Sequence, residues 1–252
     1  MNRHSRARSA LRPLLLLALA GVIFLAGGPG VAAAQLSYAR AAHLEGIDVS
    51  HWQGYVRWRD VRRVGVAFAI VKATEGQLFV DSRYARNRSK ADALGLPFSA
   101  YHFARPDRTY RDAVREANHF VRTAKLAGRH LLPVLDLEVT GGLTRRELIG
   151  WVRKWLSQVE SRLGVKPMIY TSPAFWRDRM GDTRWFADNG YRLWIAHWHV
   201  NKPRVPAANW GGRGWTLWQV TNCARVAGIR GCVDGDFHRG LDLRPLLITR
   251  NR

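Results

Sequence analysis

Acidic residues are scarce in this chain. It has 19 Asp and Glu against 40 Lys and Arg, a net charge of +21. An excess of that size favours anionic partners: wall polymers, membrane surfaces or nucleic acid. The bases are scattered, as in Arg57, Arg59, Arg62, Arg63, Arg83, Arg86 and Arg88. No basic tract or recognition motif accompanies them, which argues against a nucleic-acid reader. There is no Gly-rich phosphate loop, which weighs against a doubly wound nucleotide-binding sheet. No internal repeat, low-complexity linker or second module is visible. Only two cysteines occur, Cys223 and Cys232. They lack C-x-x-C spacing, which disfavours a zinc site, and a close even pair in an exported chain is expected to form a disulfide. Neither a metal nor an organic cofactor is implied.

Long apolar runs are missing except near the start. Arg3, Arg6, Arg8 and Arg12 precede an uncharged stretch from Leu14 to Ala26, and Ala32-Ala33-Ala34 follows. That order is expected of a secretory signal over residues 1–34, cleaved before Gln35. An uncleaved anchor is the alternative, but the run is short of the roughly 20 residues a span needs. The signal's four Arg are its only charges, so the mature domain, 35–252, keeps about +17. It is expected to be a single secreted domain without stable membrane insertion. Its oligomeric state is not legible.

The mature chain alternates apolar strands with amphipathic helices. Expected strands are Gly46–Ser50, Ala67–Lys72, Phe98–Phe103, Leu131–Glu138, Pro167–Thr171, Leu193–Trp198, Thr216–Val220 and Val233–Phe237. Most are continuous apolar runs, as for parallel strands buried on both faces. Helices are expected around Val61 and Val64, from Tyr84 to Leu94, and from Val114 to Ala124. The clearest opens with the capping box Thr144-Arg-Arg-Glu147 and stops at Gly164. After Tyr170 the helical patterns thin out. The expected fold is an α/β, TIM-like (β/α) barrel, irregular and with fewer helices in its C-terminal part.

Polar residues gather at the strand ends: Asp48, Lys72 with Glu75, Tyr101, Asp136 with Glu138, Tyr170, Gln219, and Asp234 with Asp236. In a parallel barrel such ends converge on one mouth, where active sites are built. Leu131-Leu-Pro-Val-Leu-Asp-Leu-Glu138 is the most telling of these segments. Its two carboxylates, two residues apart, share one strand face with Cβ atoms roughly 6–7 Å apart. Mutual repulsion favours keeping one of them protonated, as in an enzyme that protonates a glycosidic oxygen beside a negative charge. Eleven Trp, among them Trp52, Trp194, Trp198, Trp215 and Trp218, offer flat faces for sugar rings. Trp151 and Trp155, on a helix stripe, are expected in the core.

Gly46-Ile-Asp-Val-Ser-His-Trp-Gln-Gly54 resembles the opening of the glycoside hydrolase family 25 muramidases, the Chalaropsis-type lysozymes. Phe68-Ala-Ile-Val-Lys-Ala-Thr-Glu-Gly76, Ala100-Tyr-His-Phe103, Pro133-Val-Leu-Asp-Leu-Glu138 and Met168-Ile-Tyr-Thr171 continue the resemblance. Leu193-Trp-Ile-Ala196, Leu217-Trp-Gln219 and Val233-Asp234 complete it. It implies five β/α strands followed by a more β-rich part. It also implies hydrolysis of the β-1,4 bond between N-acetylmuramic acid and N-acetylglucosamine in peptidoglycan, with retention. Glu138 matches the family's acid and Asp136 its second carboxylate, acting as nucleophile or by orienting the substrate's acetamido group; the second route is favoured. Asp48 and Asp234 match further acids, expected to raise the affinity of Glu138 for its proton. Tyr170 is expected to donate to the acetamido carbonyl or the intermediate. Tyr101, Lys72, Glu75, Trp194 and Gln219 are expected to line the sugar site. One position departs from the resemblance: Asp236 stands where Asn is common. A catalytically inactive glycan-binding barrel and a chitinase-like hydrolase are the rival readings. The second lacks the D-x-x-D-x-D-x-E pattern.

Overall fold

The computed structural model describes residues 43–249. The expected signal segment lies outside them. No helix among the described residues is long and apolar enough to cross a membrane. Nine strands form one sheet: β1 (His43–Val49), β2 (Phe68–Glu75), β3 (Phe79–Val80), β4 (Phe98–Phe103), β5 (Val134–Asp136), β6 (Met168–Thr171), β7 (Arg192–Ala196), β8 (Leu217–Ala224) and β9 (Val233–Arg239). Their order is β1-β9-β8-β7-β6-β5-β4-β2-β3, and β1 also pairs with β2. That pairing closes eight strands into a barrel and leaves β3 as a short flap hydrogen-bonded to the end of β2.

All eight expected strands are present, with three differences. The fourth is shorter, because Pro133 has no N–H to donate and Leu131 instead bridges to Leu247. The two-residue β3 was not expected and is too short to show a periodicity. The third difference is direction. β9 runs antiparallel to both β1 and β8, while the other barrel pairs are parallel. Continuous apolar runs suggested parallel strands throughout, but such a run reports burial on two faces and not strand direction.

The helices lie outside the barrel: α1 (Trp58–Arg63), α2 (Tyr84–Ala93), α3 (Asp112–Ala124), α4 (Arg145–Leu163), α5 (Pro173–Met180) and α6 (Trp185–Asp188). The Thr144 side chain accepts from the Glu147 N–H, the Glu147 carboxylate accepts from the Thr144 N–H, and Gly164 closes α4 in the left-handed conformation. Ser172 and Pro173 start α5, and Gly181 stops it. Its apolar stripe is too weak to be seen from periodicity. Trp151, Trp155, Trp58 and Trp210 are all buried in the core.

Alternation along the strands divides the apolar residues into two cores. Ile47, Val71, Leu135, Ile169 and Leu193 face the helices. Phe68, Ile70, Val134, Met168, Leu217 and Leu246 fill the barrel. Gly46 faces inward, where a Cβ would come within 2.3 Å of the Phe68 ring. The aromatic side chain fills the barrel only because its neighbour has none. This packed plug forms the floor on which the polar mouth rests.

Candidate active site

The inner face of each strand continues upward from the plug into the polar residues. On β5, Val134 and Asp136 point inward, and Glu138 continues the same face beyond the strand. Asp136 is buried and Glu138 is exposed at the mouth. β1 contributes Asp48. β9 contributes Asp234, directly opposite Asp48, with Asp236 two residues deeper. Because β9 is antiparallel, its first residues, not its last, reach the mouth.

Five carboxyl groups thus converge. Burial pushes Asp48 well above the usual carboxylate range, and the charges of Asp234 and Asp236 push it further. Burial and then Glu138 hold Asp136 up. Burial raises Glu138, against the opposing influence of Asp136 and Lys72. Asp234 is pushed up to about 7 by burial and by Glu138. Burial and Asp234 raise Asp236. Like charge therefore bears on Asp48, Asp136, Asp234 and Asp236. Burial is what raises Glu138. The hydrogen bond between Asp136 and Glu138 raises the first and lowers the second. Both carboxyls of the pair are raised, chiefly by burial, so the pair holds on to a proton above the ordinary carboxylate range.

A cationic strut faces this cluster. Lys72 donates to Glu75 at 2.5 Å, and the Arg105 guanidinium binds the other Glu75 oxygen at 2.6–2.7 Å. Burial alone would raise Glu75, but these two cations hold it below its ordinary value. The Lys72 ammonium lies 5.0 Å from the Phe103 ring centre and 5.5 Å from that of Phe79. Arg105 and Phe79 were not among the expected site residues. Each belongs to a loop or flap whose place at the mouth depends on tertiary structure.

On the other side the partners form a connected set. The Tyr170 hydroxyl donates to Gln219 Oε1 at 2.9 Å, and the Trp198 indole donates to the same oxygen at 2.9 Å. Gln219 Nε2 donates to Asp48 at 2.7 Å. Trp194 Nε1 donates to Asp236 at 2.8 Å. The Trp194 ring packs edge-on against Tyr170, 4.5 Å between centres. Trp194 is only 2 % exposed, and Tyr170 and Gln219 are buried too. The Tyr170 proton is engaged by Gln219, so its hydroxyl is not free to donate elsewhere in this arrangement. Tyr101 is half-buried at the mouth, and burial, then the surrounding carboxylates, raise its phenol. Trp52, at 81 % exposure, and Phe79 flank His51 at the rim. Asp81 accepts from the His51 backbone and contacts its ring. The Cys223–Cys232 disulfide is formed and ties the β8–β9 hairpin that carries Gln219, Asp234 and Asp236.

An exposed carboxyl on a drier one, at the open end of a closed barrel, provides acid–base chemistry beside a negative charge. Known proteins agree with that class. Residues 47–229 match the family Glycosyl hydrolases family 25, and the chain belongs to it. The chain is 33% identical over 222 residues to lysozyme M1 of Streptomyces globisporus, covering 84% of this chain and 74% of that protein. It is 30% identical over 221 residues to the N,O-diacetylmuramidase of Arthroderma benhamiae, covering 84% and 91%. The crystal structure of the lysozyme from Streptomyces coelicolor superposes with a TM-score of 0.76 at 33% identity, covering 82% of this chain and 97% of that one.

Proposed function

We propose that this protein is an exported lysozyme that cleaves the β-1,4 bond between N-acetylmuramic acid and N-acetylglucosamine in peptidoglycan. The observation that carries the reading is the pair Asp136 and Glu138, stacked on one inner strand face, the first buried and the second open to the mouth. The family membership and the lysozymes among its relatives support the substrate class.

Two carboxyls on the same strand face lie on one side of the scissile bond. A nucleophile must approach from the side opposite the acid, which favours attack by the substrate's own 2-acetamido oxygen. Glu138 gives its proton to the leaving oxygen as that bond breaks. The acetamido oxygen bonds to C1, and Asp136 accepts the acetamido N–H and balances the positive charge of the cyclic intermediate. Water, losing a proton to Glu138, then opens that intermediate with overall retention. An acetamido N–H arriving at Asp136 favours its ionised form and leaves the proton of the pair on Glu138 for donation. Lys72 keeps the pair from retaining a second proton, and Gln219 is held by Tyr170 and Trp198 so that its amide faces Asp48. In this reading Trp194 supports the site from beneath, and Trp52 and Trp198 present faces to sugar.

Digestion of peptidoglycan by residues 35–252, beside Glu138→Gln, tests the reading. Soluble fragments ending in reducing N-acetylmuramic acid, lost in the variant, are expected. Anhydro-muramic ends would make it a lytic transglycosylase. A folded wild type that binds glycan without cutting it would make it a binding barrel.

A further inference from the structure

Glu75 and Arg105 take no part in the mechanism above, yet both stand at the mouth beside it. Lys72 and Glu75 are three residues apart, a spacing that puts side chains on opposite faces of a regular strand. β2 is not regular there: its register against β4 shifts between Lys72 and Thr74. The extra residue brings Lys72 and Glu75 to the same inner face, where the ammonium donates to Glu75 Oε2 at 2.5 Å. The neighbouring strands place Arg105. Glu75 pairs with Phe103, and Phe103 pairs with Asp136. Past those pairs, Ala104 and Leu137 turn into the core beneath the helices. By alternation Arg105 and Glu138 both turn to the mouth, each one step above the Phe103–Asp136 pair. Adjacent strands lie about 5 Å apart, which puts Glu138 within reach of a guanidinium at that position. The Arg105 side chain takes the opposite course. Its stem crosses Gly76, where a Cβ would meet its Cβ and Cγ at 3.4 Å. Its Nε and Nη2 close on Glu75 Oε1 at 2.7 and 2.6 Å. The guanidinium lies 4.7 Å from the Phe103 ring centre, and the Arg105 backbone N–H donates to Glu116 Oε2 at 3.2 Å. Glu75 thus carries a cation on each oxygen.

We propose that Glu75 is a positioning residue: its carboxylate anchors the Arg105 guanidinium on the β2 side of the mouth and keeps it off Glu138. A guanidinium on Glu138 would form a charge-assisted pair with the ionised carboxylate and draw off the proton that the acid must donate. The titratable groups facing Glu138 are Asp136 below it on β5, Asp234 from β9, Tyr170 from β6 and Lys72 from β2. Tyr101 on β4 lies level with Val134, below the pair, and Asp48 on β1 faces Asp234. Lys72 already offsets both acids of the pair while tied to Glu75. A second cation added to that side would tip the balance from a protonated Glu138 to an ionised one. The bulge in β2 and the path over Gly76 are what allow one carboxylate to hold both cations.

The benefit of this restraint rests on the reading of Glu138 as the acid, but the restraint itself is read without substrate. A crystal structure of Glu75→Gln is expected to show the guanidinium turned onto the Glu138 carboxyl. A guanidinium still lying over Gly76 would overturn the proposal whatever the enzyme cuts. If Glu75→Gln does not fold, Glu75→Asp, one methylene shorter and still charged, is expected to release Arg105 in the same way. Carboxyl carbon NMR of glutamate-labelled protein, assigned with Glu138→Gln, gives the second arm. The Glu138 midpoint is expected to fall by about one pH unit in Glu75→Gln and to recover most of that fall in Glu75→Gln/Arg105→Met. On peptidoglycan, the alkaline limb of kcat/KM should move in the same order. A midpoint and limb unmoved in folded Glu75→Gln would overturn the positioning role. A double variant shifted as far as the single one would show that Arg105 is not what Glu75 restrains. A midpoint that moves as expected in a protein that does not cut peptidoglycan would uphold the restraint and discard the muramidase reading.

Discussion

Asp48 and Asp234 face each other directly across the antiparallel β1–β9 pair, 186 positions apart in the chain and adjacent in the barrel. Like charges directly opposite one another destabilise a strand pair. Here the pair stands at the barrel mouth, where burial and neighbouring acids raise the proton affinity of both.

Glu138→Gln is expected to reduce kcat on peptidoglycan by about 100-fold or more, with a smaller change in KM, because acid–base participation is lost while the cleft is kept. Asp136→Asn should also act mainly on kcat. Steady-state kinetics on purified sacculi reads both. Unchanged kcat in Glu138→Gln would remove it from the chemistry.

Asp234 carries a pH signature. Its folded proton affinity is raised, to about 7, over an ordinary value of 3.8. A carboxyl raised in this way stabilises the fold most below about pH 4, and that contribution is lost as pH rises toward 7. Asp234→Asn should therefore melt higher than wild type at pH 8, by about 1–3 kcal/mol after allowance for solvent at the mouth, and the gap should close toward pH 4. Melting curves at the two pH values decide it.

A second raised acid lies outside the mouth. Glu116 on α3 contacts His102 Nε2 at 2.7 Å, and Thr74 contacts the other ring nitrogen at 2.8 Å. Burial pushes Glu116 up to about 8 and keeps His102 neutral. Stability tied to this group is full below about pH 4.5 and is lost as pH rises through 8. Glu116→Gln should flatten that alkaline loss, whereas Glu116→Ala should cost about 2–4 kcal/mol by leaving buried polar groups unpaired. Chemical denaturation at pH 6 and pH 9 measures both.

The disulfide closes a short loop, with Cys223 and Cys232 nine residues apart. Replacing both with Ser should cost about 2–3 kcal/mol of stability, chiefly by freeing the unfolded chain. Urea midpoints of the two proteins provide the comparison. Equal midpoints would mean the hairpin is held by its ladder alone.

The basic balance of the whole chain, +21, predicts electrostatic retention on an anionic wall. Wall binding by Glu138→Gln, which separates binding from digestion, should fall steeply between about 0.05 and 0.5 M salt as screening shortens. Binding indifferent to salt would assign retention to the glycan cleft alone.

Much of this protein was legible without coordinates. The spacing of two between Asp136 and Glu138 set them on one strand face, because side-chain alternation is local. Thr144, Glu147 and Gly164 marked the ends of α4, because caps act through neighbouring backbone groups. The ordered motifs from Gly46 to Asp234 marked the family. Other features came only from closure of the barrel. Apolar runs do not encode direction, so the antiparallel course of β9, and with it the direct cross-strand register of Asp234 with Asp48, was not visible. Burial depends on what covers a residue, so Trp194 and Asp236 became parts of the floor only when eight strands enclosed them. The bond from Gln219 to Asp48 spans 171 residues. Local sequence supplied the chemical groups, and tertiary structure decided which of them meet at the mouth.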